Sequence, residues 1–418
     1  MSSQADALVH GEAHATFVPW SQRIVAAVLN PRTFVTLLVL ATVVPAFIGA
    51  LTIFNLISVT WTISFILFLA QVHVPMTVYL MSDRDIGAQM LRRRWLMIGG
   101  CIFLIAVSMF VFTVLTVAMG SQHTEILYLF ALGGIMWQHW HFGKQNLGVL
   151  ALSRIATRTG PISPFERYTL VAGAICGMAA AYLIVGKAFQ QLYSPNGNLS
   201  LITSPIEIIS TQFRWFQYIL AASAIAYTVY NFRRFTIATA SLYILGVCFF
   251  LPVFLAIDLP QYVFIFATSG YAHGAQYIVI LFYHSLGSMD LIRRSDNSAL
   301  ASSQSHNDAD HAIAARRIIR AVRLISPLLF FALAMTVTIN FYTSHSLLTF
   351  GDIIWRIVNG AMRLHLEGST VTGMSFGLIW GILLCHFWLD SFFWRLKDKV
   401  PREWIKSRYS FLFTSPSN

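Results

Sequence analysis

Between Arg32 and Asp83 the chain runs for 50 residues without an Asp, Glu, Lys or Arg. A bilayer core about 30 Å thick is crossed by about 20 apolar residues in helical conformation. This one stretch therefore holds two crossings, which we divide near Asn55 into 34–54 and 56–80. Charge-free runs recur at 95–124, 126–143, 168–186, 215–232, 235–257, 259–289, 324–351 and 368–389, and the fourth span continues past Lys144 to about residue 152. The pattern predicts an all-α, polytopic membrane bundle of about ten helices.

Composition agrees. Only 11% of the 418 residues are charged and the mean hydropathy is +0.65, against about 25% charged in soluble domains. Such a chain is too apolar for disorder. Cys101, Cys176, Cys248 and Cys385 fall in four different spans and form no CxxC, which argues against a disulfide scaffold, a thiolate zinc site or a redox pair.

Basic residues set the orientation, because cytoplasmic loops retain them. With the N-terminus inside, 1–33, 81–94, 153–168, 232–235, 289–323 and 395–418 are cytoplasmic and hold 23 of the 28 Lys and Arg. Both ends are then cytoplasmic. The net charge of +11 is explained by topology and anionic headgroups and calls for no nucleic acid. Residues 1–33 form an N-terminal segment in which Phe17, Trp20, Ile24, Val25 and Val28 suit an interfacial helix; its first 30 residues lack the continuous apolar core of a cleaved signal peptide. Residues 34–397 form the bundle, with 289–323 as a polar cytoplasmic loop, 188–213 as an external loop and 348–366 as a helix on the outer surface; 398–418 are a cytoplasmic tail. For a bacterial chain this is a multi-pass protein of the plasma or inner membrane.

Ionisable side chains inside spans are costly and mark functional sites. Here His73 lies in the second span, His139 and His141 in the fourth, His273 and His284 in the eighth, and His386 and Asp390 in the tenth. All four are even-numbered, so they cross in the same direction and place their histidines at similar depths. At 3.6 residues per turn, His386 and Asp390 share a face, as do His141 and Gln145, and His273, Gln276 and Tyr277. His139 and His141 point about 200° apart, and we choose His141 for the interior because Gln138, Lys144 and Gln145 gather on its side. His284 lies about 16 Å along the helix from His273 and is a separate group.

Neutral imidazoles converging in a dry bundle suit a first-row metal. The candidate ligands are His73, His141, His273 and His386. Asp390, Gln145, Gln276 and Tyr277 would orient them, with Asp390 alternatively paired to Arg395 or Lys144. Lys144 and Tyr277 are the candidates for a chemical role, Lys144 stabilising a developing anion or bound O2 species. The metal expected is non-haem iron, with zinc and haem as alternatives.

The segments His73-Val-Pro-Met, Ile135-Met-Trp-Gln-His-Trp-His-Phe-Gly-Lys-Gln, Tyr271-Ala-His-Gly-Ala-Gln-Tyr and His386-Phe-Trp-Leu-Asp-Ser-Phe-Phe-Trp-Arg395 resemble, in order, those of the Brp/Blh membrane carotenoid dioxygenases. That resemblance implies intramembrane histidines holding iron for O2 chemistry, at His73, His141, His273 and His386 here. Two features depart from it: His73 precedes Pro75 with no glycine beside it, and Tyr277 stands where that family has the second His of a His-x3-His. We therefore carry over the iron site and not the carotenoid. The expectation is a membrane iron oxygenase acting on an isoprenoid or acyl chain. The alternatives are a proton-coupled transporter using the His/Asp/Lys set and a pigment- or haem-binding subunit of a membrane complex.

Overall fold

A computed structural model describes residues 27–54, 56, 87–88, 91–117, 124–193, 205–256, 259–300, 370–393 and 398–413. Among them all regular structure is helical. There are nine α-helices: α1 (Pro31–Ile53), α2 (Arg94–Val117), α3 (Thr124–Thr157), α4 (Pro164–Tyr193), α5 (Ile206–Tyr230), α6 (Ile237–Val247), α7 (Leu259–Leu300), α8 (Thr370–Phe393) and α9 (Lys399–Arg408). Three are long and apolar enough to cross a membrane, over Pro31–Leu51, Arg94–Val114 and Pro164–Lys187. The expected spans 56–80 and 324–351, the surface helix 348–366 and the N-terminal interfacial helix lie outside the described residues, apart from short fragments.

Several boundaries differ from expectation, each for a physical reason. The two ends of the expected loop 188–213 are helical, α4 continuing to Tyr193 and α5 opening at Ile206, while 194–204 lie outside the described residues. Lys187, Glu207 and Arg214 interrupt a count of uncharged residues but not a helix. Likewise α7 runs on to Leu300, through the first part of the expected 289–323 loop, since no Gly or Pro stops it there after Gly287. The seventh span, 235–257, is broken. Thr236 caps α6, its hydroxyl accepting from Thr239 N at 3.2 Å while the Thr239 hydroxyl accepts from Thr236 N at 2.9 Å. After only 11 residues the helix ends at Val247 and a 3-10 turn follows over Leu251–Leu255. Pro252 has no N–H to donate, and its ring would strike the Cys248 carbonyl in a continued helix.

Two close contacts build the bundle. On α8, Gly377, Gly381 and Cys385 recur every four residues and lie against α2 at Met109, Ile105 and Cys101. A Cβ on Gly381 would come 2.7 Å from the Ile105 Cα, so this stripe of small residues lets two backbones touch. The Cys385 thiol donates to the Cys101 carbonyl at 3.2 Å, and Trp388 Nε1 donates to the Leu96 carbonyl at 3.1 Å. Among α3, α4 and α6, Gly143 similarly faces the Ala174 backbone, and the core of Phe142, Leu150, Leu170, Tyr243 and Phe250 fills in behind.

The expected cytoplasmic charges at 153–168 include two that are buried. Arg154 is 1% exposed and Glu166 0%, and they pair with each other. Arg154 also donates to the carbonyls of Thr159 at 3.0 Å and Arg234 at 2.9 Å and lies over the Phe235 ring. Glu166 accepts from Ser163 N at 2.7 Å, and Tyr227 donates to the Ser163 hydroxyl at 2.8 Å. This network ties the α3–α4 turn to α5 and the start of α6. Within the expected tail, α9 and the residue after it pack on α7: the Trp404 ring lies 4.9 Å from that of His284, and the Tyr409 hydroxyl donates to the Ile280 carbonyl at 2.8 Å.

Two stability predictions follow from these contacts. Gly381→Leu overpacks the α2–α8 contact and costs about 1–3 kcal/mol, whereas Gly133→Ala, which meets nothing within 4 Å, is neutral or slightly stabilising; thermal unfolding in detergent distinguishes them. Arg154→Met leaves Glu166 buried without its partner and costs about 3–5 kcal/mol, and adding Glu166→Leu restores much of the loss, read by the same assay.

Candidate metal centre

The centre forms where α3, α7 and α8 meet. Their side chains His141, His273 and His386 place ligand nitrogens within 4.8 Å of one another. Ring centroids stand 4.8 Å apart for His141–His273, 5.4 Å for His141–His386 and 6.2 Å for His273–His386. His273 and His386 are buried and His141 is largely so. Phe142 packs on the His273 ring at 4.4 Å and Phe387 on that of His141 at 4.9 Å, so aromatic carbon covers part of two of the three imidazoles.

Asp390 joins them. Its Oδ2 is 3.5 Å from His141 Nε2 and 3.7 Å from His386 Nε2, and its Oδ1 accepts from the Tyr277 hydroxyl at 3.0 Å. The carboxylate therefore pairs inward, not with Lys144, while Arg395 lies outside the described residues.

The glutamines act differently from expectation. Gln145 donates to the His273 backbone carbonyl and to Gln276 Oε1, both at 3.0 Å. Gln276 donates to the Thr42 hydroxyl on α1 at 2.8 Å and to Asn146 Oδ1 at 3.4 Å. These contacts fix the register of α1, α3 and α7 about one turn from the imidazoles, and none is to a ring nitrogen. Thr42 lies on a helix without histidine and Asn146 off the face that His141 shares with Gln145, so neither stands on a histidine-bearing face; an amide one residue after Gln145 is the one sequence signal for Asn146.

The Lys144 ammonium lies over the Trp140 ring, 5.4 Å from the centroid. His73 lies outside the described residues. His139 is held away from His141, its Nδ1 2.9 Å from the Ile135 carbonyl and its ring 5.2 Å from that of Phe250. His284 belongs to the α7–α9 contact.

The structure thus offers three buried imidazoles that could hold a metal, with a carboxylate between two of them. Searches against family models, curated proteins and solved structures find no match to this chain.

For a metal held here, His141→Ala abolishes metal content in detergent-purified protein. His139→Ala leaves most of it and costs no more than packing and about one hydrogen bond. Equal loss in both variants contradicts the assignment.

Proposed function

We propose that the chain is a membrane-integral, metal-dependent oxidoreductase in which His141, His273 and His386 hold non-haem iron for the O2-dependent oxidation of a lipophilic substrate such as an isoprenoid or acyl chain. The observation that carries this reading is the convergence of three imidazoles from three helices within 4.8 Å in a buried setting. Its membrane frame is about ten crossings with both ends cytoplasmic. Outward-facing Trp95, Ile102, Phe103 and Phe110 on α2 and Trp215, Ile219 and Val229 on α5 support it, since such faces suit hydrocarbon rather than water. The resemblance to the Brp/Blh carotenoid dioxygenases supports iron over zinc.

An imidazole donor set suits iron, copper, nickel or zinc, and iron with open positions supplies O2 activation. The protein's own part is positioning. The Tyr277 hydroxyl holds the Asp390 carboxylate beside two imidazoles, and the Gln145–Gln276 contact holds α3 against α7. Phe142 and Phe387 pack against the His273 and His141 rings. Lys144, resting on the Trp140 ring, is the candidate for stabilising a developing anion.

Detergent-purified protein is expected to carry iron near one atom per chain and to consume O2 when supplied with an isoprenoid or fatty-acyl substrate. Metal-free protein that drives proton-coupled uptake in liposomes overturns this reading. It would favour a second one, motivated by Asp390 lying between His141 and His386, in which the same residues relay protons.

A further inference from the structure

We infer that Cys101 and Cys385 form a redox-active dithiol, a site between α2 and α8 at which lipid hydroperoxides produce a reversible disulfide. No CxxC spacing marks such a pair, and the structure brings the two together across 284 residues of chain. Gly377 lies on Met109 and Gly381 on Ile105, and one turn further along both helices Cys385 lies on Cys101. A Cβ on Gly381 would come 2.7 Å from the Ile105 Cα. The backbone separation that a disulfide requires, about 4.4–6.8 Å between Cα atoms, is therefore within reach at the next rung. The Cys385 sulfur stands 3.2 Å from the Cys101 carbonyl oxygen, and the two thiols are also in contact with each other.

The two sulfurs differ in access, which assigns their parts. Cys101 is half-buried and is followed on α2 by Ile102 and Phe103, 64% and 65% exposed. That helix is long and apolar enough to cross a membrane. Cys385 is buried. An oxidant arriving from hydrocarbon meets Cys101 first, and Cys385 stands behind it as the resolving thiol. The class of oxidant that dissolves in hydrocarbon and takes two electrons from a thiol pair is the hydroperoxide of an acyl chain.

The chemistry runs in two displacements. Cys101, as its thiolate, attacks the terminal oxygen of the hydroperoxide. An S–O bond forms, the O–O bond breaks, and the alkoxide leaves with the proton that Cys101 gave up. The Cys385 sulfur then attacks the Cys101 sulfur. An S–S bond forms, the S–O bond breaks, and hydroxide leaves with the Cys385 proton as water. Two thiols and one hydroperoxide thus give one disulfide, one alcohol and one water. Cys385 immediately precedes His386, so the link fastens to α2 the turn of α8 from which that imidazole projects. No step uses a metal, and the inference stands apart from the proposed function.

The test uses the full chain in detergent, reduced, treated with chelator and then exposed to linoleic acid hydroperoxide. Wild type is expected to consume about one equivalent per chain. A digest made without reductant then contains the Cys101 peptide joined to the Cys385 peptide, and dithiothreitol separates them. Cys385→Ala, which only enlarges the run of small residues on α8, leaves Cys101 as a sulfenic acid that dimedone traps. Cys101→Ala slows hydroperoxide consumption about tenfold or more. Absence of the joined peptide in wild type overturns the inference, as do links spread equally to Cys176 and Cys248. A Cys101→Ala protein that consumes hydroperoxide at the wild-type rate overturns it as well. So does a link that forms only without chelator treatment, because the oxidation then depends on a metal.

Discussion

In a bundle of helices apolar on nearly every side, hydrophobic burial does not say how far one helix should slide or turn against the next. Polar groups do, because away from water each must find its partner within the protein. The chain of contacts from Thr42 through Gln276 to Gln145 and the His273 carbonyl therefore sets the register of α1, α3 and α7. The Tyr277–Asp390 bond adds α8. With those four helices in place, His141, His273 and His386 cannot avoid one another.

Magnitudes separate what positions the centre from what would stabilise it. Hydrogen bonds between membrane helices average about 0.6 kcal/mol each, so the amide contacts define geometry more than stability. A metal shared by three helices is a far stronger link, about 10–16 kcal/mol for structural zinc in small peptides. The close α2–α8 packing through Gly377 and Gly381 and the Arg154–Glu166 network at the α3–α4 turn hold the surrounding scaffold by other means. Neither touches the imidazoles, so the scaffold and the centre can be perturbed separately.

Much of the centre is legible from helical spacing and depth. His386 and Asp390 fall on one face four residues apart, and His141 is separated from His139 by its polar neighbours; the structure has both features. What spacing could not show is which atom a polar side chain reaches. Gln145 finds a backbone carbonyl, and Lys144 finds the Trp140 ring. Charge counting likewise read Arg154 and Glu166 as loop residues, since it carries no information on whether two opposite charges fold together. The broken seventh span had its signal in Pro252, which an unbroken apolar run concealed. Cys101 and Cys385, in spans far apart in sequence, meet only because α2 and α8 pack antiparallel through small residues, a contact that no CxxC spacing announces.

The claim on which the rest depends is that one ion sits among the imidazoles of α3, α7 and α8. Anomalous X-ray scattering at the iron edge, from crystals of protein purified without added metal, tests it most directly. The account predicts a single strong peak about 2 Å from nitrogens of His141, His273 and His386. A map with no peak there, or with its peak elsewhere on the chain, contradicts it.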